Sequence, residues 1–160
     1  MSMQADRVEV ARGMKTCKIT VAEFEGLGAA KKIEVLSDEG CPVGVIEVGA
    51  RDRNAYVRRA AAGNPSAPVG VIKAGARDKS WQVREAAVGN PSAPVAVIEA
   101  GAGDEVMYVR WAAAGNPSIT ETGAEQLSHD SDIEVVWALA HNPAVPDRIR
   151  VVAGLRVAGK

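Results

Sequence analysis

Aromatic side chains, cysteine and long apolar runs are all scarce in this 160-residue chain. Three tryptophans, two tyrosines and one phenylalanine make up only 4% of it, so a core must be assembled from small aliphatic residues. Cys17 and Cys41 are the only cysteines and stand 24 residues apart. That excludes a disulfide framework or a four-cysteine metal site within one chain. No stretch approaches the roughly 18–20 apolar residues of a membrane span, and MSMQADRVEVARG carries no apolar signal-peptide core. A cytoplasmic protein without membrane attachment is expected. Neither sign of charge prevails: 19 basic residues face 20 acidic ones for a net charge of −1, which argues against a generally polycationic nucleic-acid binder. Catalytic signatures are missing too. There is no HExxH, no GxSxG and no glycine-rich phosphate loop, and His129 and His141 are the only histidines. The expectation is a non-enzymatic chain without a cofactor.

What the chain has is a repeat. Asn64-Pro65, Asn90-Pro91, Asn116-Pro117 and Asn142-Pro143 recur with a period of 26, and Asp52, Asp78, Asp104 and Asp130 keep the same step, as do Val57, Val83, Val109 and Val135. The block GNPSAPVGVIKAGARD (63–78) is nearly identical to GNPSAPVAVIEAGAGD (89–104). The phase extends back to SDEGCPVGVIEVGARD (37–52), where Asp38 replaces asparagine, and forward into NPAVPDRIRVVAG (142–154). The repeat array covers residues 31–160, in units near 31–56, 57–82, 83–108, 109–134 and 135–160. Residues 1–30 form an N-terminal cap that is either part strand (RVEV, CKITV) or a helix TVAEFEGL opened by a Thr20/Glu23 capping box.

Each unit predicts two short helices. The first begins after Ser66 and Pro68, or Ser92 and Pro94, with serine able to cap and proline tolerated early in a helix. The second begins at the Asp78 column, whose carboxylate accepts from the first exposed amides, and stops at a glycine such as Gly89 before the Asn-Pro corner. Segments this short are marginal alone and need stacking against neighbours. The valine column, the alanines of the 60/86/112 and 61/87/113 columns, and the Ala55/Trp81/Met107/Ile133 column share one helical face and predict the core. The fold class is therefore all-α: an α-solenoid of about five 26-residue two-helix repeats with a short cap.

The pattern VRxAAAGNPSAPVxVIxAGAxD resembles the leucine-rich repeat variant family, and Val83-Arg84, Asn90-Pro91, Pro94 and Asp104 carry the best-matched unit. The resemblance covers about 120 of the 160 residues. It implies a right-handed superhelix with alternating α and 3₁₀ helices. Two departures stand out. The family's leucine positions in the first helix are mostly Val, Ile, Ala or Gly here, and the cysteine-rich N-terminal region associated with an iron–sulfur cluster in the family's founding member is not matched by Cys17 and Cys41.

Two columns vary in chemistry where others repeat: Tyr56, Gln82, Tyr108, Glu134 and Arg59, Glu85, Trp111, Trp137. Packing positions tend to stay alike, whereas partner-facing ones are free to differ. These columns form a candidate binding strip anchored by Tyr56, Tyr108, Trp111 and Trp137, although Trp137 also suits burial at the C-terminal end. Arg58, Arg84 and Arg110 form a further ladder that either lines a groove for anionic groups or bonds the Asp column and neighbouring helix ends. The asparagine column either reads a repeating ligand or bonds the backbone of its own corner.

Charge is unevenly spread. Residues 51–84 hold eight basic and two acidic side chains, a balance of +6, while residues 85–134 hold one basic and nine acidic, a balance of −8. This dipole fits attraction of an acidic partner, head-to-tail self-association or a merely solvated surface. The function expected is a non-catalytic protein-binding scaffold using the variable strip. The alternatives are nucleic-acid binding on the basic stretch 51–84 and a redox or metal accessory role of Cys17 and Cys41.

Overall fold

The computed structural model describes residues 18–159, which contain eleven α-helices and no strand. These are α1 (Val21–Glu25), α2 (Ala29–Leu36), α3 (Val43–Gly49), α4 (Ala55–Gly63), α5 (Val69–Gly75), α6 (Trp81–Val88), α7 (Val95–Ala102), α8 (Met107–Gly115), α9 (Glu121–Leu127), α10 (Ile133–Ala140) and α11 (Asp147–Ala158). Two helices per sequence repeat are thus present. All are α, so the α/3₁₀ alternation implied by the family resemblance is not seen among the described residues. Single i→i+3 turns occur instead at the corners, as where the Ala67 amide donates to the Asn64 carbonyl. At the N-terminal end the helical reading prevails over the strand reading: Thr20 and Glu23 complete a reciprocal capping box on α1, which buries Phe24. RVEV (7–10) and Cys17 lie outside the described residues.

The starts of the second helices correct the expectation. α6 begins at Trp81 after Ser80, not at Asp78. The Asp78 carboxylate instead accepts from the Ser80 amide two residues on, an Asx turn that precedes the helix. Asp52, Asp104 and Asp130 do the same for Asn54, Val106 and Asp132. Nor does Ser66 cap α5: its hydroxyl donates to the Glu39 carbonyl of the preceding unit. α5 starts after Pro68, where the ring fixes the backbone before the first turn. Gly89 does sit at a helix C-cap, but in a right-handed conformation that any residue can adopt.

Helices in equivalent positions contact one another in chain order, α2 with α4, α4 with α6, α6 with α8 and α8 with α10, while α3, α5 and α7 each pack on the helix that follows. The valine column is fully buried, as are Ile46, Ile72 and Ile98. The Ala55/Trp81/Met107/Ile133 column is only half-buried, because it sits in the first helical turn, at the rim of the packed face. Cys41 is buried in the core.

Close approach of the two helices of a unit depends on residue size at two positions. An added Cβ at Gly49 would stand 2.7 Å from Leu36 Cδ1, and one at Gly101 would stand 2.6 Å from Val88 Cγ1. Where the later unit has Leu127 in place of this glycine, the partner position holds Ala114 instead of Leu36 or Val88, and both are buried. The second unit sets small on small, Gly75 against Ala62, and an added Cβ there would stand 2.9 Å from Ala62 Cβ, so the column never pairs large with large.

The corners are tied by asparagine. Asn64, Asn90, Asn116 and Asn142 are all buried. Each Oδ1 accepts from the amide two residues on within its own corner. Each Nδ2 reaches back one unit. Asn90 donates to the carbonyls of Ala62 and Asn64, both at 2.8 Å. Asn116 donates to Val88 and Asn90, Asn142 to Ala114 and Asn116, and Asn64 to Leu36 and Asp38. The own-corner bond expected from sequence is present, and a bond to the preceding unit is added to it.

Two outcomes test this packing. Gly101→Leu alone should destabilise the chain by about 2–4 kcal/mol through overpacking, and adding Val88→Ala should recover most of that loss in thermal or denaturant unfolding. Asn90→Ala should cost about 2–4 kcal/mol because the buried Ala62 carbonyl loses this donor, the Asn64 carbonyl is left with the Ala67 amide alone, and the Ser92 amide loses its acceptor. Asn90→Asp should cost more at pH 7, since its carboxylate faces those same carbonyls. That raises its pKa in the folded state, so urea titrations at stepped pH should find Asn90→Asp regaining stability as pH falls from 7 towards 5 while Asn90→Ala does not.

Candidate functional site

The arginine–aspartate ladder stands apart from the depressions among the variable columns, whereas the asparagine ladder borders them. Arg58, on α4, places Nε and Nη2 on the two oxygens of Asp78 at 2.7 and 2.9 Å, and its Nη1 donates to the Asp52 carbonyl at 3.0 Å. Arg84 repeats this on Asp104 and the Asp78 carbonyl, and Arg110 on Asp130 and the Asp104 carbonyl. Each guanidinium therefore clamps two consecutive inter-helix turns. Arg84 and Arg110, candidates for the partner surface, have side chains only 13% and 15% exposed and are committed to these pairs.

Two members of the clamp row were not recognised in the sequence. Lys32, exactly one period before Arg58, pairs with Asp52 at 2.8 Å and lies over the Phe24 ring. Its spacing was legible. Arg156 comes from α11 and donates to the carbonyls of Ser128 and Asp130 where the clamp column itself has become Val136. No periodic signal points to it.

The clamps set the titration of the aspartates. Hydrogen bonds from Arg58 hold the Asp78 carboxyl below its ordinary value, against the opposing effect of burial. At Asp104 and Asp130 burial pushes upward most strongly, yet the guanidinium and the turn amide together outweigh it and the net shift is downward. Asp52 behaves likewise, with Lys32 as the cation.

The variable columns lie on the outer face of α4, α6, α8 and α10. Tyr56 is 60% exposed, Tyr108 51%, Trp111 42% and Trp137 45%. Trp137 is thus not buried at the C-terminal end; its ring stacks on His141 with centroids 4.1 Å apart. Tyr108 stacks on Trp81 at 4.9 Å. Arg59 and Glu85, one period apart, form an exposed ion pair at 3.2 Å. Between these side chains run two adjoining depressions. One, of about 400 Å³, is bounded by Tyr56, Arg59, Ala60, Gly63 and Ala86. The next, of about 340 Å³, is bounded by Gly63, Glu85, Ala86, Trp111 and Gly115. Alanine and glycine form the floor because the helices approach closely there, and the variable side chains form the walls.

Among the described residues there is no cluster of three or more His, Cys, Asp or Glu side chains able to hold a metal ion, and no helix long and apolar enough to cross a membrane. No family model, no curated protein and no solved structure matches the chain.

The clamp row makes a pH-dependent contribution of defined sign. Folded-state pKa values depressed below the ordinary 3.8 stabilise the chain above that pH, and this stability is lost as pH falls through the folded values. Asp104→Asn keeps the Oδ1 acceptor for Val106 but sets an amide against Arg84. It should cost about 1–3 kcal/mol at pH 7. In unfolding curves between pH 7 and pH 2 the variant should also show a shallower acid loss than the parent.

Proposed function

We propose that the chain is a non-catalytic α-solenoid of about five 26-residue units, similar in style to leucine-rich repeat variant arrays, that binds a protein partner along its variable strip. The paired depressions carry this reading. They recur one unit apart, have small-residue floors, and are walled by Tyr56, Arg59, Glu85 and Trp111, with Tyr108 and Trp137 flanking. Exposed aromatic rings beside a shallow floor supply rigid apolar area at low entropic cost, which is what interface anchors require. The arginine–aspartate column takes no part in it, and the asparagines that reach the depressions (Asn64, Asn90 and Asn116) have their amide groups spent within and between corners.

One observation favours a second reading. Arg51, Arg53, Lys73, Arg77 and Lys79 are exposed within the basic stretch 51–84, and none of them makes an ion pair among the described residues. That surface suits a polyanion such as nucleic acid.

Affinity capture from native extract, with and without nuclease and at low and moderate salt, separates the two. A discrete protein retained through nuclease and moderate salt is expected. Tyr108→Ser with Trp111→Ser should lower its recovery about tenfold or more while the helical circular-dichroism signal stays unchanged. Undiminished capture by the double variant sinks the strip assignment. Loss of all bound material on nuclease treatment gives first place to nucleic acid.

A further inference from the structure

The clamps order the inter-helix turns into a single row. Arg58 joins the turn at Asp52 to that at Asp78, Arg84 joins Asp78 to Asp104, Arg110 joins Asp104 to Asp130, and Arg156 holds the last carbonyl. The turns 51–54, 77–80, 103–106 and 129–132 are consequently neighbours along one edge of the molecule. With packed helices 8–10 Å apart, four such turns span about 30 Å.

Once the clamps themselves are set aside (Lys32, Arg58, Arg84 and Arg110 with their aspartates, and Arg156 on the last carbonyls), the charges left on this edge change sign half-way along it. The first two turns present Arg51 and Arg53, then Arg77 and Lys79, all exposed and none in an ion pair among the described residues. The third turn presents Glu105, whose side chain is 87% exposed although it lies 3.6 Å from Arg84. The fourth adds Asp132, which shares Arg110 with Asp130, and the exposed Glu134 beside it. At the point where the sign changes sits the stacked pair of Trp81 and Tyr108, which spans the second and third of these turns.

A polyanion laid along this edge would run from four cations onto three carboxylates within that length. The partner that fits must therefore reverse its own charge over the same distance. We propose that this edge binds a second copy of the chain in antiparallel register, about a two-fold axis passing near Tyr108. Under that operation the cations at 53 and 79 of one copy face the carboxylates at 105 and 134 of the other, and the same pairing occurs again on the opposite side of the axis. The contact is self-complementary and closed, as isologous dimers are, with an aromatic centre and a charged rim. It differs from head-to-tail association, which leaves free ends. It also goes beyond the strip reading: Arg53, Lys79 and Glu105 lie outside both variable columns, and Tyr108 and Glu134, which belong to one of them, do not line the depressions.

Sedimentation equilibrium with the full chain is the test. The parent should form a dimer at about 30 mM salt whose dissociation constant rises about tenfold or more by about 300 mM. Arg53→Glu with Lys79→Glu should be monomeric under the same conditions, and so should Glu105→Lys with Glu134→Lys. An equimolar mixture of these two double variants should dimerise, because each half-edge then meets an opposite charge again. Circular dichroism of each variant establishes that it is folded. A parent that stays monomeric at about 200 µM and low salt overturns the proposal, whether or not it retains an oligonucleotide. So does a dimer indifferent to both charge reversals, or a mixture that remains monomeric. Strip-dependent capture is read separately and survives any of these failures.

Discussion

One buried amide per corner holds this molecule together. An asparagine side chain offers an acceptor and two N–H donors on one rigid plane, and the corner uses all of them: the oxygen stabilises the turn that contains it, while the nitrogen satisfies two carbonyls of the unit before. Those carbonyls lie at the end of a helix and in the adjoining corner, where no intrahelical partner exists. Short helices with alanine-rich faces bury little apolar area apiece. Satisfying every polar group at their junctions is therefore as important to the stack as the valine and isoleucine columns between them.

The arginine clamps do on the opposite edge what the asparagines do at the corners. Both join consecutive units, and both use a planar side chain with several donors to reach backbone and side-chain acceptors together. With these columns committed, chemistry is free to change elsewhere without disturbing the stack. The outer face of α4, α6, α8 and α10 exploits that freedom, and so does the exposed rim of the turn row. Arg59, Glu85, Trp111 and Trp137 share one geometric position but no common chemistry, and the one contact between consecutive units there, the Arg59–Glu85 ion pair, does not recur along the column.

Much of this was legible in the sequence, and the misses have definable causes. A strict 26-residue period fixed the helix pairs, the buried valine column and the structural use of asparagine, since a side chain held in one lattice must recur in one chemical form. The helix starts were read three residues early at Asp78 because an Asx turn and an N-cap share the same sequence signature. The Trp81 column was expected in the core because helical offsets give a face but not its distance from the rim. The backward reach of Nδ2 left no trace in sequence, for a donor gives no sign of which neighbour it finds. Arg156 was invisible for a related reason: it reaches the row from a different helix, outside the period.

Asp38 gives the asparagine ladder a direction. It stands one period before Asn64, closes its own turn by accepting from Gly40, and lends its carbonyl to the Asn64 amide, as each later asparagine does for its successor. What it lacks is the pair of N–H donors that would grasp a unit behind it. Replacing one NH₂ by one oxygen turns a link that both gives and takes into one that only takes. The ladder thus carries its own opening mark, written in a single functional group, and every asparagine after it means that another unit precedes.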